Sequence, residues 1–159
     1  MKFNSLFPKI SFPVILIAFL LPFVLVKCGN TTIARLNGVD MVTGTHVGEG
    51  DDVQQIDPNL YVLGAFVLAA VGLVLAFFKK KEIRIAALAV SVLGFLSLIG
   101  FYFDVTGEVP GKGKMIVIIS LGVGYYIAII GFLANSLFFG LSLTQKEDRL
   151  PPVLPGEND

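Results

Sequence analysis

The stretch IRIAALAVSVLGFLSLIGFYF, Ile83–Phe103, carries one charge, Arg84, at its very start. A helix needs about 20 apolar residues to cross the roughly 30 Å hydrocarbon core of a bilayer, and this stretch supplies them. In lipid every backbone N–H and C=O must be satisfied within the segment, so a run of this kind reads as a helix. Just before it stands Lys79-Lys80-Lys81-Glu82, and before that a second apolar run, Leu60–Phe78. So short a connection makes the two runs a tight antiparallel hairpin. After Asp104 a polar segment leads to Met115–Leu143, the longest uncharged run, which must tilt or project beyond the lipid. Upstream lies Ile10–Val26, a shorter run whose apolar surface Phe7 and Phe12 extend into the interface.

Four such runs predict an all-α membrane protein, an antiparallel bundle of four transmembrane helices over about 10–26, 60–78, 83–103 and 115–143. A single membrane domain then covers 1–144, with an outer loop at 27–59 and a cytoplasmic tail at 145–159. The chain of 159 residues is 55% hydrophobic with mean hydropathy +0.81, far from the soluble average. The outer loop is too small to be an independent catalytic domain.

The net charge of zero hides an asymmetry. With both termini inside, Lys2, Lys9, Lys79, Lys80, Lys81, Arg84, Lys146 and Arg149 face the cytoplasm. Only Lys27, Arg35, Lys112 and Lys114 face out. That distribution satisfies the positive-inside rule and predicts cytoplasmic N- and C-termini. The first run has a basic start and an apolar centre, but no small-x-small cleavage site precedes the loop, so it reads as a retained helix. Leu25-Val26-Lys27-Cys28 has the outline of a lipobox, with Lys27 where a small residue belongs. Cys28 reads as a half-buried small side chain, with lipidation or an intermolecular disulfide as its sharper readings.

Pro22 should kink the outer third of the first helix, whereas Pro13 sits near its start. Small residues recur at heptad spacing: Ala65, Ala69, Gly72 and Ala76 in the second run, Ala87, Ser91 and Gly94 in the third, and Gly124, Ala128, Gly131 and Asn135 in the fourth. Such stripes let helices approach closely in lipid, which makes Gly72, Gly94, Gly124, Gly131 and Asn135 the candidate helix-packing residues. Asn135 and the Tyr125–Tyr126 pair are the places to look for a buried polar contact. Phe77, Phe78, Phe138 and Phe139 at one end, and Tyr61, Tyr102 and Phe103 at the other, suit an interfacial aromatic belt.

In the outer loop, Thr31–Leu36 reads as a strand, Asn37-Gly38 as a two-residue turn and Val39–Val47 as the returning strand. The competing reading is a short helix capped by Asn37, with Asp40 at its third position and Gly44 ending it. Gly48–Asn59 is acidic and Gly-rich and reads as mobile. Ile33, Arg35, Asn37, Asp40 and Met41 form the candidate partner-binding surface, because loops held by a rigid scaffold concentrate recognition residues.

No catalytic, cofactor or metal residues are expected. One Cys excludes dithiol–quinone chemistry, and His46, the single histidine, cannot support bis-His haem or a di-iron site. Glu49, Asp51, Asp52 and Asp57 match no calcium loop and read as a solvated turn. Asn30-Thr31-Thr32 has the form of a glycosylation acceptor, of consequence only in a eukaryotic secretory pathway. The absence of Asp, Glu, Lys, Arg or His well inside the runs argues against a proton- or ion-coupled transporter.

Four helices with a long structured first outer loop, a short inner turn and a shorter second outer loop resemble the claudin topology. The paired loop cysteines and the Trp of that family are missing, so its function does not carry over. Cys28-Gly29 after the first helix, then Leu36-Asn37-Gly38 and Thr43-Gly44, resemble small bacterial membrane proteins of unknown function. That likeness covers about a quarter of the chain and implies a bacterial cytoplasmic membrane, not a mechanism. The expectation is a non-enzymatic accessory or scaffold subunit. It would contact membrane lipids and either a larger membrane-protein partner or further copies of itself, and no nucleic acid. A homo-oligomeric channel or carrier, with Gly124–Asn135 lining a shared path, is the alternative.

Overall fold

The computed structural model describes residues 6–28, 31–47, 54–78, 80–107 and 117–147. In chain order they form α1 (Phe7–Ala18), β1 (Pro22–Cys28), β2 (Thr31–Asn37), α2 (Gly38–Thr43), β3 (Thr45–Val47), β4 (Gln54–Ile56), α3 (Leu60–Leu75), α4 (Lys81–Gly107), β5 (Val117–Leu121) and α5 (Val123–Glu147). The chain is mainly helical, with a small antiparallel sheet. Two segments, Lys81–Thr106 and Val123–Thr144, are long and apolar enough to cross a membrane. The helices of the first two apolar runs are shorter than the runs themselves. α1 has 12 residues and α3 has 16, about 18 and 24 Å at 1.5 Å per residue.

The first run divides because of Pro22. Proline lacks an N–H and biases Leu21 away from helical angles, and Phe23-Val24-Leu25-Val26 behind it favours extended backbone. So α1 tightens instead of kinking: the N–H groups of Phe19, Leu20 and Leu21 donate to the carbonyls of Leu16, Ile17 and Ala18 at 3.2, 2.9 and 3.0 Å. The residues expected to form the outer third of a helix are β1. The fourth run divides as well. Val117-Ile118-Ile119 at its start is β5, Gly122 separates strand from helix, and α5 continues to Glu147, through residues 145–147 of the expected tail.

The three strands order as β2-β1-β5, all antiparallel. Leu25 pairs with Arg35 on one side and with Ser120 on the other, and Gly122 N–H extends the second ladder by donating to Phe23 O at 2.7 Å. The strand at 31–37 therefore pairs backwards onto β1, not forwards through an Asn37-Gly38 turn. Asn37 begins α2, the competing reading. Its backbone N–H donates to the Asp40 carboxylate at 3.0 Å, one arm of a capping box, and Gly44 ends the turn at φ 76°, ψ 154°, a region open essentially to glycine alone. Gly38 lies directly against Phe19, with no room for a side chain: a Cβ there would lie 2.8 Å from the Phe19 ring and 2.9 Å from its backbone. β3 and β4 pair as a separate ribbon, Thr45 with Ile56 and Val47 with Gln54. Of the stretch expected to be mobile, residues 48–53 lie outside the described residues.

α1 packs on α3 and α5, and α4 packs on the same two helices. Asn59 shows how the chain turns between these layers. Its side chain caps α3 by accepting from the N–H groups of Tyr61 and Val62, and its amide donates to Asp104 near the end of α4 at 2.7 Å. The junctions around α2, α3 and α4 thus meet at the sheet end of the helices, and the α3–α4 connection lies at the opposite end. Between the helices sit Phe12, Ile15, Val62, Leu98, Phe101 and Phe132, all fully buried.

Candidate partner-binding surface

A line of aromatic rings ties the sheet to the helices beneath it. Phe66 of α3 meets Phe19 edge-on at 5.2 Å, Phe19 meets Phe23 of β1 at 4.8 Å, and Tyr125 of α5 lies 6.3 Å from Phe23 and 6.1 Å from Phe101 of α4. Tyr125 Oη also donates to Leu98 O at 3.2 Å, a cross-helix bond in a buried setting. The pair flagged in the sequence splits here, since Tyr126 faces outward and is exposed. α2 is strapped to the same end: Val39 N–H donates to Phe19 O at 3.0 Å, and Met41 O accepts from Asn59 N–H at 2.8 Å.

This platform sorts the five expected partner-binding residues. Arg35 is exposed on β2, and Ile33 falls at the register irregularity between the Val26–Ala34 and Lys27–Thr32 pairs. Asn37 and Asp40 are half-buried and form the start of α2. Met41 is buried in the core. The structure therefore brings Ile33 and Arg35 to one strand and gives the other three a structural task. Both β2 and β5 are edge strands with no strand partner on their far sides among the described residues, and of the two only β2 carries expected partner-binding residues. Edges of this kind hold free N–H and C=O groups that another strand can extend.

Of the four glycines in the small-residue stripes, three face a side chain of a neighbouring helix and not its backbone. The space above Gly72 is filled by the Phe12 ring, that above Gly94 by the Phe132 ring, and that above Gly131 by the Ile15 side chain. Each glycine is a socket for a large side chain on a neighbouring helix. Gly124 is the exception and does allow close backbone approach: a Cβ there would lie 2.5 Å from Ala18 O and 2.9 Å from Leu21 O. Asn135 is fully buried, and neither its Oδ1 nor its Nδ2 has a hydrogen-bond partner among the described residues. Ser91, also fully buried, donates to its own helix at Ala87 O, 2.8 Å away.

Sequence reasoning missed β5 as part of this surface. The signal was present in its β-branched Val-Ile-Ile start and in the Gly122–Gly124 pair behind it. No family model matches the chain, and no similar curated protein or solved structure was found.

Proposed function

We propose that this chain is a non-enzymatic integral membrane accessory subunit that docks onto a larger membrane protein through the open edge of β2. In this reading α1, α3, α4 and α5 all lie in the bilayer as an antiparallel bundle, the sheet stands outside, and both termini are cytoplasmic in a bacterial inner membrane. The outward faces of the helices support the first part. Ile10, Val14 and Ile17 on α1, Val67, Val71 and Val74 on α3, and Ile130, Leu133 and Leu137 on α5 are all exposed, a surface suited to lipid and not to water. α1 gains apolar length from Leu20 beyond its end, and local bilayer thinning accommodates a short helix. Lys9, Lys80, Lys81 and Arg84 gather at the end opposite the sheet, in keeping with the charge rule.

The observation that carries the docking part is an unpaired strand edge, with Arg35 exposed, held rigidly at one end of an apolar helical body. A homo-oligomeric channel would need a polar path, and the exposed face of α5 offers Tyr126, Ile130, Leu133, Leu137 and Leu141 instead. A photo-crosslinking residue placed at Arg35 should yield a defined heteromeric adduct in membranes, while one at Ile130 should label lipid. Adducts from Ile130 alone would transfer the binding surface to the helices, and a ladder of self-adducts would favour the oligomer.

A further inference from the structure

At the end of the helices away from the sheet, a cavity of about 70 Å³ opens between α1, α3, α4 and α5. Two cations line it, Lys9 from the first turn of α1 and Arg84 from the first turn of α4, together with Ser142 and the rings of Phe78, Phe138 and Phe139. Among the described residues no carboxylate lines it and neither cation forms an ion pair. Lys9 Nζ sits 5.5 Å from the centroid of the Phe77 ring, which stands beside the cavity without lining it. The start of α4 adds the positive end of a 27-residue helix. Glu82, also in that first turn, is exposed and does not line the cavity.

We propose that this cavity binds the phosphate-bearing headgroup of an anionic phospholipid from the adjoining leaflet. The inference rests on the reading of the helices as membrane-embedded. Charge sets the sign of the ligand, because two cations with no ion-pair partner among the described residues, together with a helix N-terminus, favour an anion. Shape and lining set its class. The space is far below the roughly 300 Å³ or more of a cavity that encloses a whole small molecule, so it takes only part of a larger one. Its aromatic walls run directly onto exposed Phe77 and Phe78, where the glycerol and first methylenes of a lipid would lie. Basic sites between helices at a membrane surface are suited to such headgroups.

The test uses the full chain in phosphatidylcholine nanodiscs with and without phosphatidylglycerol, measuring retained lipid by native mass spectrometry and thermal stability by circular dichroism. Lys9→Gln/Arg84→Gln is compared with Lys80→Gln/Lys81→Gln, which removes the same charge from exposed positions outside the cavity. A charge-assisted hydrogen bond to a phosphate is worth about tenfold or more, so the cavity variant should lose roughly 100-fold in lipid retention while the control, which loses only diffuse surface attraction, retains most of it. Arg84→Lys should restore part of the loss, which a variant that merely misfolds would not do. Equal losses in the two double variants would overturn the site in favour of diffuse attraction. Equal stabilisation of the wild type by dissolved inorganic phosphate would make the ligand a soluble anion. Release of the protein from native membranes by alkaline carbonate would instead refute the membrane reading itself, and the lipid site with it.

Discussion

Gly72→Ala tests whether glycine sockets, and not backbone proximity, hold these helices together. A Cβ at position 72 would lie 2.5 Å from Phe12 Cζ and 2.8 Å from its Cδ1, with Cε1 closer still. Carbon atoms rest at about 3.5–4.0 Å, so the ring must retreat by roughly 1 Å. Phe12 is fully buried, and overpacking of a filled core costs about 1–3 kcal/mol. Alanine also favours helix over glycine by about 1 kcal/mol, which conceals part of that penalty. Gly140→Ala in α5 supplies the reference, because nothing lies within 4 Å of its added methyl. The two substitutions share the propensity gain, so their difference isolates the steric term: Gly72→Ala should be less stable than Gly140→Ala by about 1–3 kcal/mol. Unfolding in mild detergent, followed by far-ultraviolet circular dichroism, measures it. Phe12→Leu should rescue Gly72→Ala in a double-mutant cycle, with a coupling of about 0.5–3 kcal/mol. Equal stability of the two alanine variants, or zero coupling to Phe12, would refute the socket.

Asn135→Leu keeps the branched shape while removing two buried polar atoms that have no partner among the described residues. It should leave folding intact and raise stability by about 1–3 kcal/mol, and a loss in the same unfolding assay would show that the amide is paired. Gly44→Ala forces a Cβ into a backbone region at φ 76°, ψ 154° and should cost about 1–3 kcal/mol, read as increased protease cleavage between α2 and β3. In a Cys28→Ser background, His46→Cys should react with impermeant maleimide on intact cells and Lys80→Cys only after lysis. The reverse labelling would invert the proposed orientation.

The apolar runs were legible because length and hydropathy together leave few alternatives. The strands inside them were not, since a buried strand and a buried helix are equally apolar and hydropathy does not distinguish them. The distinguishing marks were local: Pro22 ahead of Phe23-Val24-Leu25-Val26, and Val117-Ile118-Ile119 ahead of Gly122. Both segments owe their extended form to each other, because β1 pairs with β5 across almost a hundred residues of chain, a contact that no local pattern records. The α2 turn was written in Asn37, Asp40 and Gly44 but competed with the Asn-Gly signal. Pairing of β2 back onto β1 decides between them, and that pairing is tertiary. The phase of the small-residue stripes was readable, whereas their occupants were not, since a glycine does not say whether a backbone or a ring will fill its place. Lys9 and Arg84 were read only as votes on topology, because they lie far apart in the chain and meet only when α1 and α4 present the same end.

The continuity of β1 with α1, and of β5 with α5, bears on what the sheet is for. β1 follows α1 after Phe19-Leu20-Leu21, and β5 enters α5 through Gly122 alone. Around these junctions a Cβ on Gly124 would strike Ala18 O and Leu21 O, and one on Gly122 would strike the Pro22 carbonyl. Two chain segments thus cross with no side chain between them, and the Phe66–Phe19–Phe23–Tyr125–Phe101 line fills the space beneath. A strand edge anchored in this way has little freedom to lose when a partner strand adds to it. Ordering of mobile groups is a main term opposing association, so a pre-ordered edge binds more tightly for the same hydrogen bonds. Gly124→Val would separate the crossing and loosen the sheet without touching β2 itself. Binding through β2 should then weaken while Arg35 remains in place, detected as reduced crosslinking from that position. Unchanged crosslinking in the Gly124→Val protein would show that the edge binds without help from its anchor.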